Sequence, residues 1–566
     1  MNIINNIFLG ISCLIILLSI VDFNVGKIKK ESINSNKKED KIKKAIDSFF
    51  ENKRNVWIIF FILLTTAIIS RTFRLDNLMN AYNCDELGTG YDAFCIANYG
   101  VDRYLNKFPI YFNNFGGGQS ALPIYLTALI GKIFGFSMVT LRIPNTLLSI
   151  VAIVMSFFAF RKIKADKFAL MFMAIIVSSP WHFLLTRIGL DCNMQTNMTL
   201  ISISLLLLAN KNWHYIIAGV FFGLTLYSYI LSVIVIPIFL FILLIYLLYV
   251  KRINVKNGAI FICSFLIVSI PIFYFALVSK GVCPDFKGFI SISSLTSKRI
   301  NEFKIKNLGI ILLNIHKMLT NDEHIFNSIS KFGNFYRFAI PFAIIGICIS
   351  IKKLIKSIKN KKFELSCLFL ILLLSNIPLI LTLFGNTGRL QTAIIALLYF
   401  IVLGIQFIYK KTKICFIIIL TMYLIITTMF FNYYFNRYEI DNKSINFSDR
   451  YFVDVIDRIE AIDKNKDVIC RHNTMQSWIY VAYKLQVSPY YLIENRHEKK
   501  IHPKLENFGF GKYYFYINKT IEPDENKIYV LRENYIEMDD FFENLEALRN
   551  NEFKEEKIGD YYIFYK

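Results

Sequence analysis

Apolar runs of about 16–22 residues recur along most of this chain, divided by short polar segments. A run of that length spans ~30 Å of hydrocarbon at about 1.5 Å per residue, so each predicts a membrane-crossing helix. Twelve are expected: Ile4–Val21, Val56–Ser70, Arg142–Phe160, Phe168–Leu185, Met194–Ala209, Tyr215–Tyr229, Leu231–Val250, Ala259–Val278, Phe338–Ile351, Leu365–Phe384, Leu390–Tyr409 and Ile414–Phe431. The first lacks a basic leader and a small-residue cleavage site, so it reads as an anchor helix rather than a signal peptide. Past Asn432 the pattern changes. Charged runs alternate with short segments of strand character at Asp467–Cys470, Trp478–Ala482, Tyr513–Ile517, Lys527–Leu531 and Tyr561–Tyr565, with a helical Phe541–Ala547 among them. The expected architecture is a polytopic α-helical membrane protein with a C-terminal soluble α/β domain. Its parts are 1–55 (anchor helix and basic loop), 56–431 (transmembrane domain with external loops 71–140 and 279–336) and 432–566 (soluble domain).

Charge fixes the expected orientation. Lys27–Arg54 holds ten basic and five acidic residues, and Arg161–Lys164, Lys251-Arg252, Lys352–Lys362 and Lys410–Lys413 are also basic. With twelve crossings these all fall on one side, the cytoplasmic one by the positive-inside rule. Loops 71–140 and 279–336 and the tail then face outward. Only 279–336 resists, through Lys298, Arg299, Lys304 and Lys306; long loops obey the rule poorly. Its stretch Ile305–Leu319 has the pattern of an amphipathic helix lying in the interface.

Composition agrees. The 566 residues are 55% hydrophobic and only 19% charged, below the charge of a soluble domain. The net charge of +22 sits largely in the orienting loops, which argues against a nucleic-acid partner. Ten Cys are scattered. Cys13, Cys263, Cys348, Cys367 and Cys415 lie in apolar runs as small hydrophobes, no Cys pair has zinc-ligand spacing with nearby His, and Cys84 with Cys95 is either an external disulfide or two packed thiols. His316 and His324 are hydrogen-bonding or interfacial residues before they are metal ligands. Gly88-Thr89-Gly90 and Gly116-Gly117-Gly118 lack the strand–turn–helix setting of a nucleotide loop and are expected to be turns. Asn518-Lys519-Thr520 is a glycosylation sequon by pattern only.

The chemistry concentrates in Arg71–Arg142. This stretch is too polar for lipid and too rich in Tyr, Phe, Gly and Pro for a disordered linker. It carries the adjacent acids Asp85 and Glu86. Ionisable residues near membrane depth are costly and usually functional; those here are Arg142, the pair Arg187 and Asp191, and Arg389 behind Gly385-Asn386-Thr387-Gly388. All are expected at outer helix ends, around a cavity facing the acid pair. Each also has a plainer reading: an i,i+4 ion pair for Arg187 and Asp191, headgroup snorkelling for Arg142 and Arg389, a solvated turn for the acids. An acid pair opposite arginines suits group transfer from a lipid phosphate. A carboxylate can take the acceptor's proton, and arginine can hold the departing phosphate. Adjacent side chains point apart, so one acid is the base and the other binds or orients. Tyr91, in the same loop, joins Arg389, Arg187, Asp191 and Arg142 as a candidate substrate-binding residue.

The segment CDELGTGYDAFCIANYGVDRYLNKFPIYFNNFGGGQSALPIYLTALIGKIFG and the following LRIPNTLLSIVAIVMSFFAF resemble the GT-C fold glycosyltransferases of family 39, which use polyprenyl-phosphate sugars and include protein O-mannosyltransferases and the aminoarabinose transferase of lipid A. Weaker likenesses lie in SSPWHFLLTRIGLDCN and GLTLYSYILSVIVIPIF, so the resemblance covers about Arg71–Phe431. It implies a GT-C transmembrane domain with Asp85 as catalytic base, Glu86 in support, and Arg389 among the cations near the lipid phosphate. Two departures bear on the acceptor: Lys107-Phe108-Pro109 stands where the family often has Lys-Pro-Pro, and the tail domain differs from that of the protein mannosyltransferases.

The expected function is an integral-membrane inverting glycosyltransferase. It would pass a sugar from a polyprenyl-phosphate carrier to a hydroxyl of a protein, glycan or lipid on the outer face, with membrane lipids as further partners. No cofactor is required by this chemistry; a divalent metal is compatible with it but not indicated. A transporter for lipid-linked sugars would use the same arginines without a base, and inverted repeats with discontinuous helices would favour it. A non-enzymatic assembly scaffold would tolerate loss of Asp85, Glu86 and Arg389 together.

Overall fold

The computed structural model describes residues 7–16, 44, 47–76, 82–115, 117–294, 304–320, 329–383, 388–438, 448–449, 451–471, 476–497, 509–516, 521–533 and 541–566. The chain divides into two compact units. The first comprises Met1–Leu75, Arg142–Phe273 and Arg299–Asn436, the second Asp76–Leu141, Tyr274–Lys298 and Arg437–Lys566.

The first unit is helical. Among the described residues, eight helices are long and apolar enough to cross a membrane: Lys53–Thr72, Met138–Ile163, Ser232–Tyr249, Val255–Ser279, Arg337–Asn360, Leu365–Thr382, Gln391–Lys411 and Lys413–Asn436. The bent pair Asp166–Ser178 and Pro180–Thr186 makes a ninth if counted as one span. Three expected crossings account for the difference from twelve. Ile7–Ile16 is short in its described part. Asn212–Thr225 has 14 residues, about 21 Å at the helical rise. Asp191–Leu208 opens on a polar half whose Asn193, Gln195, Thr196, Asn197 and Thr199 are buried in the unit. At the centre runs Gln391–Lys411, buried at every position from Gln391 to Ile405, as an all-round apolar helix must be.

The bent pair turns by 65° at Ser179. Pro180 has no N–H to give the Ile176 carbonyl. That carbonyl accepts Arg71 Nη2 instead (3.4 Å), and the Ser178 carbonyl accepts the Tyr336 hydroxyl (2.8 Å). Buried side chains thus meet the backbone groups that the break releases.

The second unit is built on a five-stranded sheet in the order Lys554–Ile558, Tyr561–Tyr565, Lys527–Arg532, Asp467–Arg471, Tyr513–Tyr516. The three strands from Lys527–Arg532 onward are parallel and the first two form an antiparallel hairpin. One side packs the helix Phe541–Asn550 through Tyr529, Leu531, Leu545, Leu548 and Phe564. The other shares one core with two helices from distant parts of the chain, Ser477–Lys484 and Cys84–Tyr99, through Val468, Cys470, Ile479, Leu87, Tyr91 and Phe94. A two-residue ladder, Tyr82–Asn83 against Ser448–Asp449, fastens the loop to the tail just before the acid pair.

The tail and the first polar segment are therefore parts of one compact unit. Of the expected strands, Asp467–Cys470, Tyr513–Ile517, Lys527–Leu531 and Tyr561–Tyr565 appear to within a residue. Trp478–Ala482 is instead helical, within Ser477–Lys484. A continuous apolar run suits a buried strand or a helix buried on every side, and here every residue from Ser477 to Tyr483 is buried. The expected amphipathic helix forms over Leu308–Leu319. Asn314 on its buried side donates to the Ile380 and Leu383 carbonyls, while Leu308 and Leu312 are exposed. His324 and the sequon lie outside the described residues.

Candidate functional site

Asp85 is the second residue of the helix Cys84–Tyr99. Asn83 caps that helix, its side-chain oxygen accepting from the Asp85 backbone N–H at 2.7 Å. An acid in a first helical turn is favoured by the backbone N–H groups exposed there. Asp85 is solvent-exposed and Glu86 buried, as adjacent residues on a helix should differ.

A second element reaches Asp85 from the hairpin Tyr111–Asn114 and Gly117–Ser120. Asn114 Nδ2 donates to Asp85 Oδ1 at 2.8 Å, and Gln119 Nε2 donates to the Asp85 carbonyl at 2.9 Å. Gln119 also meets the Thr89 hydroxyl, which itself donates to the Asp85 carbonyl.

Gly88-Thr89-Gly90, expected to form a turn, lies inside this helix. Its glycines serve close approach rather than backbone conformation. A Cβ on Gly88 would stand 2.6 Å from Asn114 Oδ1 and 2.9 Å from Arg103 Nη2. One on Gly90 would stand 2.6 Å from the Tyr483 ring and 2.7 Å from Leu141.

Arg103 locks the layer beneath. With Asp92 it forms an ion pair in which both side chains are fully buried: Nε to Oδ1 at 3.0 Å and Nη2 to Oδ2 at 2.8 Å. Its Nη2 also donates to the Gly88 carbonyl at 2.6 Å, and its guanidinium lies 5.2 Å from the Phe115 ring centre and 5.8 Å from that of Trp478. Burial alone would disfavour the charged guanidinium; Asp92 more than offsets this, and the group is held more basic than usual. Next to it, burial pushes the Asp102 carboxyl up to about 6, Asp92 adding to the effect. Burial, reinforced by Asp85, likewise pushes the Cys84 thiol well above its ordinary range, which disfavours the thiolate. Cys84 and Cys95 are both free thiols. Their eleven-residue offset on one helix is about 16 Å, too far for a disulfide.

The seven residues expected at the site fall into two groups. Asp85, Glu86 and Tyr91 belong to the second unit; Arg142, Arg187, Asp191 and Arg389 belong to the first. Tyr91 is fully buried in the core and donates to the Val487 carbonyl at 3.0 Å. Arg142 is buried and donates to the Leu75 carbonyl at 3.0 Å. Arg187 does not make the expected i,i+4 pair with Asp191. It donates to the Ser70, Phe73 and Arg74 carbonyls at 2.9 Å each and to the Tyr434 hydroxyl at 3.0 Å. It lies at the end of the short helix Pro180–Thr186, and Asp191 starts the next one, so the i,i+4 geometry of a continuous helix is lost. Asp191 accepts from the Cys192 N–H at 2.7 Å. Arg389 is half-buried, two residues ahead of Gln391–Lys411.

Sequence reading missed Asn83, Asn114, Gln119, Asp92 and Arg103, although all but Asn83 and Asp92 are separated from Asp85 by a loop or hairpin. It also missed a buried chain in the first unit. Arg71 Nη2 lies 3.1 Å from His182 Nδ1, His182 Nε2 lies 3.3 Å from Asn197 Oδ1, and Asn197 Nδ2 donates to Asn145 Oδ1 at 2.8 Å. Because arginine can only donate, His182 accepts at Nδ1 and carries its proton on Nε2. Among the described residues, no group of three His, Cys, Asp or Glu is placed to hold a metal ion.

This arrangement of spans and a sheet-bearing unit is the GT-C glycosyltransferase fold. ArnT from Cupriavidus metallidurans, bound to undecaprenyl phosphate, superposes with a TM-score of 0.51 at 10% identity, over 90% of this chain and 97% of that one. The Archaeoglobus fulgidus oligosaccharyltransferase, tethered to an acceptor peptide containing an NVT sequon, gives 0.50 at 13% identity, over 78% of this chain. The chain spans 65% of that enzyme's length. Residues 119–275 match the model of the dolichyl-phosphate-mannose-protein mannosyltransferase family. No curated protein matches by sequence.

Proposed function

We propose that this protein is a membrane-embedded inverting glycosyltransferase that takes a sugar from a polyprenyl-phosphate carrier and passes it to a hydroxyl acceptor on the outer face. The observation that carries the reading is Asp85: an exposed carboxylate at a capped helix start, held through Oδ1 by Asn114, within a fold shared with ArnT. In the proposed step the acceptor oxygen attacks the anomeric carbon as Asp85 takes its proton. The bond from that carbon to the phosphate oxygen breaks, and the lipid phosphate leaves with the electron pair. Such a leaving group needs positive charge rather than a proton, which is the role proposed for Arg389. Glu86, buried beside the base, would support the helix start.

General-base assistance is worth about 10²–10⁴ in rate. Asp85→Asn should therefore lower transfer by that factor while leaving donor binding intact. The test uses the full chain in lipid nanodiscs with radiolabelled undecaprenyl-phosphate mannose as the first donor probe, followed by product analysis. Near-wild-type transfer by Asp85→Asn removes the base assignment. Movement of intact donor across the bilayer without release of undecaprenyl phosphate would mark a transporter instead.

A further inference from the structure

The hydrogen bond to Asp85 fixes more than a rotamer. Asn114 is 7% exposed and lies at the end of its strand. Its Nδ2 must face Asp85, because a carboxylate only accepts. Its Oδ1 is thereby turned inward, towards Gly88, where it is buried without a hydrogen-bond partner. Arg103 Nη1 is likewise buried and unpartnered on the same side of Gly88; a Cβ placed there would be 3.5 Å from it and 2.6 Å from the Asn114 oxygen. The amide therefore presents its negative end to the side on which the fully buried Arg103 cation stands, and its positive end to Asp85. Every part is held: Arg103 by Asp92, and the hairpin by its ladder to Gly117–Ser120. The cradle exists because position 88 has no side chain.

We infer that Asn114 is a positioning residue that sets the orientation and the basicity of the Asp85 carboxylate, with Gly88 providing the space it requires. This rests on the reading of Asp85 as the base. A donor to the charged form of a carboxylate lowers its proton affinity. Asn114 therefore keeps Asp85 ionised and fixes the orientation of its carboxylate through Oδ1. Among the described residues, titratable and charged groups beside this cradle include Cys84, Glu86 and Asp92 on the helix of Asp85 and Arg103 from the loop after it.

The experiment is the pH profile of kcat/KM for the full chain in nanodiscs, with undecaprenyl-phosphate mannose as probe. Asn114→Ala removes the donor and should move the acid limb about one pH unit upward, with kcat down roughly tenfold and donor KM unchanged. Asn114→Asp places a second carboxylate beside Asp85 and should move the limb further in the same direction. Gly88→Ala touches neither group chemically, yet should move the limb as Asn114→Ala does, because its methyl displaces the amide. A merely structural Asn114 would lower the active fraction at every pH and leave the limb in place, and that outcome overturns the inference. Activity retained by Asp85→Asn defeats the reading of the base instead, so the two failures are told apart.

Discussion

The Asp92–Arg103 pair offers the sharpest test of the physical account. Asp92→Asn removes one charge and leaves a guanidinium that is completely buried, with Nη1 already unpartnered. The variant keeps the Gly88 carbonyl contact and the two aromatic faces. These do not replace a bidentate carboxylate. Removing one member of a buried pair costs about 3–5 kcal/mol, chiefly from the uncompensated charge. For a unit of about 220 residues, 1 kcal/mol is worth roughly 2–4 °C in Tm, so a loss of the order of 10 °C is expected. Arg103→Met alone should cost a similar amount through the orphaned Asp92. The double variant, two neutral groups of comparable volume, should recover most of the loss. Trp478 packs on Arg103, so thermal unfolding followed by tryptophan emission in detergent reads this region. Single variants within about 1 kcal/mol of wild type, or additive losses in the double, would refute the reasoning.

Three other outcomes follow from the same structure. The Asp102 carboxyl is raised to about 6 from 3.8, so the folded state binds its proton more tightly than the unfolded state. Stability is then lost as pH rises from about 4 to 6, by roughly 3 kcal/mol in all; Asp102→Asn should lack this slope, measured by unfolding at pH 4 and pH 7. Gly90→Ala adds a favourable helix former, about 1 kcal/mol, but drives a methyl into Tyr483 and Leu141. Overpacking costs about 1–3 kcal/mol, so a lowered Tm is expected, and a raised one would show that the core yields. Arg187→Met removes the donor to the buried Ser70 carbonyl, to the part-buried Phe73 and Arg74 carbonyls and to the Tyr434 hydroxyl, so at about 1 kcal/mol each the helical unit should lose several kcal/mol in thermal scans.

What the sequence made legible is what composition and period encode. Long apolar runs announced the spans, and aromatic and β-branched segments announced four of the five strands. The fifth, Lys554–Ile558, is a charged edge strand of sequence KEEKI, which carries no apolar alternation to detect. Trp478–Ala482 misled because a short apolar run is the same word for two structures; its neighbours in space decided it. Gly88 and Gly90 misled for a related reason. A glycine pair signals a turn when only local conformation is weighed, whereas these are required by side chains 15 and 393 positions away. Asp85 was visible through its acid neighbour and its family likeness. Asn114 was not, because nothing local marks an amide whose partner lies 29 residues upstream.

The ladder from Tyr82–Asn83 to Ser448–Asp449 and the bond from Tyr91 to Val487 bear on how the protein is made. The latter joins residues 396 positions apart. At about 5–20 residues per second, a ribosome needs roughly 20–80 s to travel that distance. Throughout that interval the helix of Asp85 is synthesised but lacks half of its core, with Tyr91 and Phe94 uncovered. Every described helix of the first unit from Met138–Ile163 onward emerges in the meantime. Completion of the Asp85 helix therefore waits on the segment from Ser477–Lys484 to Val487, and a chain cut short before it would reach the membrane with this core open.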